Sequence, residues 1–209
     1  MRKILLFTAI LMLGVAACSS ARGGARATTT DEGVVINGVR WATRNVGAPG
    51  TFAQTPESSG MFYQWNSRVG WSSSGALVNS TGGTTWSSAR PTGQEWEQRN
   101  NPCPPGWRVP THDEIISLRD AGSVLTTQNG VKGRLFGTAP HQVFLPLAGL
   151  RWHSDGALQS AGAIGEYWTN RPSGEGYAWN TFFNKGGSMS VGIFTNRAMA
   201  FPVRCVSVR

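Results

Sequence analysis

The chain has 209 residues, of which 14% are charged, and 19 Lys and Arg against 11 Asp and Glu give a formal net charge of +8. The excess comes mostly from dispersed Arg, without the basic run that follows a phosphate backbone, so the composition argues against a nucleic-acid-binding protein. Nine Trp and 27 Gly instead predict short strands, many tight turns and aromatic side chains in a loop-rich interior.

Residues 1–18 have the pattern of an export signal. Arg2 and Lys3 precede an apolar run from Ile4 to Ala17, which is shorter than the roughly 18 residues of a membrane-spanning helix. The last residues of this segment, VAAC, match a lipobox, so we expect cleavage before Cys18 and lipid on its thiol. The predicted product is an outer-membrane lipoprotein that faces the periplasm or the cell surface.

The mature chain is expected to consist of a tether and one domain. Residues 19–33 are small and polar, which predicts a flexible tether, and residues 34–209 form the domain. Asn37–Gly38 between β-branched residues predicts a hairpin at the start of the domain. Residues 60–65 indicate a further strand. Residues 72–101 are rich in Ser, Thr and Gly and predict a long surface excursion.

One short helix is predicted after the excursion. Thr111 and Glu114 fit a capping box, and Gly122 gives a stop signal. Strands are predicted again in the later segments 144–152, 157–169, 188–193 and 200–206. The fold class is therefore expected to be α+β, with short irregular antiparallel strands, one or two short helices and long loops.

The cysteines predict a disulfide. Once Cys18 carries lipid, Cys103 and Cys205 are the remaining pair, and in an oxidising compartment such a pair most simply forms a bridge. The bridge would close a loop of about 100 residues. A metal-binding pair is the alternative, although neither a CxxC spacing nor a neighbouring His supports it.

Five segments in order resemble the Fibrobacter succinogenes major paralogous domain family, over about residues 33–208. They are residues 38–47 (GVRWATRNVG), 101–111 (NPCPPGWRVPT, similar to the family's CPxGWxxPT segment), 145–149 (LPLAG), 165–169 (GEYWT) and 201–206 (FPVRCV). The resemblance implies a C-type-lectin-like fold, with the cysteine near the helix bridged to the one near the chain's end. It also implies an association with lipoproteins and surface proteins of Bacteroidetes and related bacteria, and no particular activity.

Some members with this fold are variable proteins of diversity-generating retroelements, in which a rewritten C-terminal segment is displayed for binding. The resemblance therefore implies a binding surface within residues 167–204, whose Asn, Tyr and Gly content is also typical of a paratope. The candidate contact residues are Trp168, Asn170, Arg171, Tyr177, Trp179, Asn180, Phe182, Asn184, Ser188 and Asn196. The alternative interpretation is that they are turn asparagines and core aromatics.

No catalytic, cofactor or metal site is predicted. His112, His141 and His153 are scattered, without the spacing of a zinc site, and no G-x-S-x-G sequence indicates a nucleophilic serine. Glu166 is a single carboxylate, not the acid/base pair of glycoside hydrolysis. Trp179–Asn180 is not followed by Asp, and no dense run of acidic residues could supply the oxygen ligands of calcium.

Together these patterns predict a non-enzymatic, membrane-anchored module for ligand binding or display. Its binding surface is expected in the loops of residues 167–200, with the excursion of residues 68–100 alongside, and its ligand to be a protein or a glycan. Two alternatives are kept open: a structural envelope component that binds another envelope protein, and a glycan-active hydrolase.

Overall fold

The computed structural model describes residues 28–208. The predicted signal segment, Cys18 and residues 19–27 of the predicted tether lie outside the described residues. None of the described helices is long and apolar enough to cross a membrane.

Short strands dominate the described part of the chain. The strands are β1 (Val34–Ile36), β2 (Val39–Asn45), β3 (Phe62–Gln64), β4 (Gly70–Trp71), β5 (Trp107–Arg108), β6 (Ser123–Gln128), β7 (Val131–Thr138), β8 (His141–Pro146), β9 (Leu150–Arg151), β10 (Leu158–Gln159), β11 (Ile164–Pro172), β12 (Tyr177–Asn184), β13 (Met189–Asn196), β14 (Ala200–Pro202) and β15 (Arg204–Ser207). Helix α1 (His112–Asp120) is accompanied by a 3-10 turn at Gln98–Asn100.

The strands form four antiparallel sheets. Their strand orders are β1-β2-β15-β5, β10-β9-β14-β3-β4, β11-β12-β13 and β6-β7-β8. Antiparallel sheets combined with one helix define an α+β fold, as the sequence predicted.

Local signals fixed the first hairpin and the helix. Asn37 and Gly38 have φ angles of 47° and 78° between β1 and β2, the left-handed pair that a two-residue hairpin turn requires. At α1 the Thr111 hydroxyl accepts from the Glu114 backbone N–H at 3.2 Å, and the Glu114 carboxylate accepts from the Thr111 N–H at 2.8 Å. The predicted hairpin and capping box are both confirmed.

The excursion of residues 72–101 is held to the domain by tryptophans. Within it the structure shows only the 3-10 turn and one isolated bridge, between Trp71 and Asn79. The Trp86 ring lies 4.9 Å from that of Trp71, and the buried Trp96 ring lies 5.9 Å from that of Trp65. The segment is therefore irregular, as predicted, but two of its side chains help to form the interior.

The predicted disulfide is confirmed. Cys103 and Cys205 are joined with an S–S distance of 2.08 Å, and the bridge links the loop before β5 to β15. Beside it the buried guanidinium of Arg204 donates to Asn45 Oδ1 and to the carbonyls of Ala42 and Phe144, at 2.9–3.0 Å. These contacts tie β2, β8 and β15 together around the core.

The domain begins earlier than the predicted boundary at residue 34. Thr28 forms a bridge with Phe52. The Asp31 carboxylate, only 1% exposed, accepts from the Thr43 backbone and hydroxyl and pairs with Arg44 at 3.1 Å. Residues 28–33 were predicted as tether because they are small and polar. The buried Asp31 carboxylate, the Thr28–Phe52 bridge and a hydrogen bond from Arg40 to the Glu32 carbonyl instead hold this segment against the domain.

Candidate ligand-binding surface

The sheet β11-β12-β13 has one face only partly covered by helix α1. Ile115 and Leu118 of the helix share a hydrophobic cluster with Tyr167 and Phe183. Side chains alternate between the two faces along β12. Tyr177 and Trp179 therefore lie on the same face as Phe183, but nearer the N-terminal end of the strand. The covered part of the face therefore gives way to an exposed part at the N-terminal end of β12.

Three aromatic rings form this exposed part, which we call the β12–β13 aromatic surface: Tyr177, Trp179 and Phe194. Phe194 is 59% exposed and Tyr177 is 37% exposed, while Trp179 is half-buried. The Phe194 ring lies edge-on to both others, with centroids 6.2 Å from Tyr177 and 5.7 Å from Trp179. Such edge-to-face contacts fix ring orientations without burying the rings.

Two arginines from different segments lie over these rings. The Arg90 guanidinium is 4.9 Å from the Tyr177 ring centroid, and that of Arg171 is 5.7 Å from the Trp179 centroid, both within the range of cation–π attraction. Gly176 is needed for the first contact, because a Cβ there would lie 2.4 Å from Arg90 Cδ. The aromatic surface is thus flanked by two positive charges.

His112, in the first turn of α1, closes the inner edge of the surface. Its ring centroid lies 5.1 Å from that of Trp179. Burial lowers the pKa of His112, and the positive charge of Arg171 lowers it further. Both effects favour the neutral imidazole, which contacts the Trp179 ring without adding a third charge.

A groove of about 740 Å³ adjoins the surface, between residues 90–94 and 172–176. One of its lining residues is Arg197, which is 4% exposed and donates to the carbonyls of Tyr177, Gly93 and Gly174 at 2.8–3.1 Å. These hydrogen bonds hold the two segments together across the groove. The excursion therefore lies alongside the C-terminal segment at this groove.

Several residues predicted from the sequence meet here. Arg171, Tyr177 and Trp179 belong to the surface just described. Asn170 lines a smaller hollow of about 230 Å³ together with Arg171 and His112, and its backbone N–H donates to the Pro110 carbonyl at 2.8 Å.

Two predicted contact residues, Trp168 and Asn180, are core residues instead. Trp168 is fully buried, packs 4.3 Å from the Phe201 ring centroid, and donates from Nε1 to the Tyr63 carbonyl at 2.7 Å. Asn180 is also fully buried, and its Nδ2 donates to the Glu166 carboxylate at 2.6 Å. A ligand on the surface cannot touch either side chain.

The remaining candidates either lie away from the aromatic surface or use their side chains in hydrogen bonds within turns. Asn184 and Ser188 lie at the β12–β13 turn, at the other end of β12, where Asn184 Oδ1 accepts from the Ser188 N–H at 3.2 Å. Phe182 is half-buried opposite Glu166. Asn196 pairs with Tyr177 across the strands, but its Oδ1 accepts from the Ala198 N–H at 3.0 Å.

Arg90 and Phe194 were not among the contact residues predicted from the sequence. Phe194 lay within the candidate segment, and its position directly opposite Trp179 depends on the β12–β13 register, which the sequence did not specify. Arg90 belongs to an irregular segment far from Tyr177 in the chain, so no local pattern could link the two.

Comparisons with protein families, curated proteins and solved structures found no match to this chain. Within residues 28–208 no three His, Cys, Asp or Glu side chains are grouped as a metal site.

Proposed function

We propose that this chain is a membrane-anchored extracytoplasmic lipoprotein whose β12–β13 aromatic surface binds a protein or glycan ligand. The observation that carries the proposal is the grouping of three aromatic rings and two guanidiniums on one exposed sheet face. Trp, Tyr and Arg are the residue types that dominate binding energy in interfaces. Exposed aromatic side chains that are already held in place lose little entropy when they bind.

The proposal includes membership of the major paralogous domain family and a C-type-lectin-like fold. Its support is that the five family-like segments contact one another. Strand β15, in the last segment, pairs with β2 of the first and β5 of the second, and Gly149 of the third bridges Gly165 of the fourth. The Tyr167 hydroxyl joins the two groups, because it accepts from Asn45 Nδ2 at 3.4 Å and donates to the Pro146 carbonyl at 3.1 Å. Segments far apart in the chain thus form one connected unit, as expected if they specify a shared fold.

The proposed anchor is lipid on Cys18, in the outer membrane. The disulfide supports an oxidising, extracytoplasmic location, because such bridges are rare in cytosolic proteins. In this proposal the domain is non-enzymatic and its C-terminal segment can be diversified. An imperfect repeat of the coding region for residues 167–204, next to a reverse-transcriptase gene, is the expected genomic sign of diversification.

The anchor is tested by labelling cells with an alkyne fatty acid. The protein is expected to incorporate the label, and Cys18→Ala is expected to abolish incorporation and release the protein from membranes. Labelling that persists in Cys18→Ala would contradict the proposed anchor.

The binding surface is tested by probing arrays of glycans and envelope proteins with the mature protein in detergent. Phe194→Ala is compared with Val124→Ala, because both side chains are 59% exposed and Val124 lies on β6, in another sheet. Loss of binding by at least about ten-fold, or about 1.4 kcal/mol, is expected only for Phe194→Ala.

The same pair of variants distinguishes the main alternative. Val124 and its exposed neighbour Leu125 lie on β6, an edge strand of its sheet, and edge strands are common sites of contact with other chains. Binding to an envelope protein that is lost in Val124→Ala and kept in Phe194→Ala would favour a structural envelope component.

A further inference from the structure

Arg90 and Arg171 differ from the other arginines of the described region. Every other arginine in residues 28–208 donates a side-chain hydrogen bond or, as Arg99 does with Glu97, forms an ion pair. The guanidiniums of Arg90 and Arg171, both on exposed residues, make neither a hydrogen bond nor an ion pair with that part of the chain. Their contacts there are with the rings of Tyr177 and Trp179.

Contact with a ring prepares a guanidinium for binding an anion. The ring helps to hold the side chain in place, while the N–H groups at the edge of the guanidinium plane stay free to form a two-pronged contact with a carboxylate. Both rings are themselves held, Tyr177 by Phe194 and Trp179 by Phe194 and His112. Two positioned cations thus face solvent without an internal partner.

Acidic side chains nearby do not neutralise these charges. Glu175 lines the groove beside Arg90, and Glu95 and Asp113 line the hollow beside Arg171. None of the three forms an ion pair with either guanidinium. The guanidinium N–H groups of both arginines are therefore free of a carboxylate partner within residues 28–208.

The spacing of the two rings indicates the form of the ligand. Tyr177 and Trp179 are alternate residues of β12, so their backbone positions lie about 7 Å apart, which is also the spacing of alternate side chains in an extended peptide. Aromatic side chains with Arg and no Lys among them are also typical of the buried centre of protein–protein interfaces. Both observations favour a polypeptide.

We infer that the β12–β13 aromatic surface binds an extended acidic segment of a partner protein, with carboxylates at alternate positions contacting Arg90 and Arg171. The inference rests on the proposed function, because it uses the same surface and specifies its ligand class. In addition to these two charged contacts, Phe194 supplies an apolar contact to the bound segment.

The probe is a capped ten-residue peptide in which Glu alternates with Thr, titrated by fluorescence anisotropy into the mature protein in detergent. Arg90→Gln and Arg171→Gln are each expected to weaken binding about two- to five-fold, as for exposed ion pairs. The double variant is expected to weaken it about ten-fold. Affinity is expected to fall as salt rises, because exposed charges are screened.

The matched control is the double variant Lys132→Gln/Lys185→Gln. It removes the same charge from exposed positions on β7 and at the β12–β13 turn, and it is expected to change affinity less than about two-fold. Thermal unfolding of every variant checks that the fold is kept. This measurement distinguishes a loss of affinity caused by unfolding from one caused by the missing arginine contact.

Three results would overturn the inference. They are equal binding of a peptide with Gln in place of Glu, an equal loss in the lysine control, and binding of an oligogalacturonate in place of the peptide, which would indicate an acidic glycan. If the peptide fails to bind while Phe194→Ala still abolishes binding on the arrays, the acidic partner is wrong and the proposed function stands.

Discussion

At the scale of single residues, Glu166 is a buried carboxylate that forms no ion pair within residues 28–208. It is 8% exposed on β11, and the only side-chain hydrogen bond of its carboxylate within residues 28–208 comes from Asn180, at 2.6 Å. Burial raises the pKa of Glu166 to about 7, and the hydrogen bond offsets part of this rise. Asn180 Oδ1 is buried without a partner, so a protonated Glu166 could donate to it and satisfy both groups.

The raised pKa predicts a pH-dependent stability that Glu166→Gln removes. A carboxyl with a higher pKa in the folded than in the unfolded state, here about 7 against 4.5, stabilises the fold best below pH 4.5. That stability is lost as the pH rises through 7. Between pH 4.5 and 8 the free energy of unfolding of Glu166→Gln is expected to rise by up to about 3 kcal/mol relative to that of the parent protein. Urea unfolding at each pH measures this difference.

The control for this prediction is Glu175→Gln, which removes an exposed carboxylate. Its stability relative to the parent is expected to change by less than about 0.5 kcal/mol over the same range. A Glu166→Gln difference that does not vary with pH would show that Glu166 titrates normally in the folded protein.

At the scale of elements, helix α1 depends on its first turn. Its nine residues are too few for a stable isolated helix, so packing of Ile115 and Leu118 and the capping box must hold it. Glu114 also forms a bidentate pair with Arg108, at 2.9 and 2.6 Å. The cap therefore joins the helix to β5 as well as satisfying backbone groups.

Thr111→Ala is expected to lower the free energy of unfolding by about 1 kcal/mol. The alanine cannot accept the hydrogen bond from the Glu114 N–H, which the Thr111 hydroxyl accepts at 3.2 Å. Thr111→Ser keeps the acceptor and should lose less than half as much. Equal losses in both variants, measured by urea unfolding, would assign the effect to the missing methyl group instead.

At the scale of the whole molecule, the disulfide closes the longest covalent loop of the domain. Cys103 and Cys205 are 102 residues apart in sequence, and cross-linking so long a loop removes much of the entropy of the unfolded chain. The chain-entropy estimate for a loop of this length is about 4–5 kcal/mol.

Cys103→Ala/Cys205→Ala is therefore expected to lower the free energy of unfolding by about 4 kcal/mol, measured by urea unfolding. The parent protein treated with dithiothreitol provides the comparison, because reduction opens the same loop without changing any side chain in sequence. If neither treatment moves the unfolding midpoint, the loop entropy is offset by structure that persists in the unfolded state.

The sequence predicted the features that local chemistry decides. The Asn37–Gly38 turn and the Thr111 cap depend on neighbouring residues, and the Cys103–Cys205 bridge was predicted from the number of cysteines left after the predicted lipidation of Cys18. The aromatic surface depends on the register of β12 against β13 and on a contact between Arg90 and Tyr177. Both bring together residues distant in the chain, which periodicity cannot specify.

Strand β11 shows why buried and exposed candidates could not be separated by sequence. Tyr167 and Trp168 point to opposite faces of the sheet, yet both are fully buried, in different hydrophobic clusters. With both faces covered, alternation no longer distinguishes core from surface. A core tryptophan was therefore predicted as a ligand contact.

The packing of residues 28–33 on the domain sets how far the proposed lipoprotein can reach. From an anchor at Cys18 to Thr28 a fully extended chain covers at most about 35 Å, against about 55 Å if the tether ran through residue 33. A domain of this size is roughly 40 Å across. With the proposed anchor, the candidate binding surface would lie close to the bilayer, and a partner would have to come within about 75 Å of that bilayer to be bound.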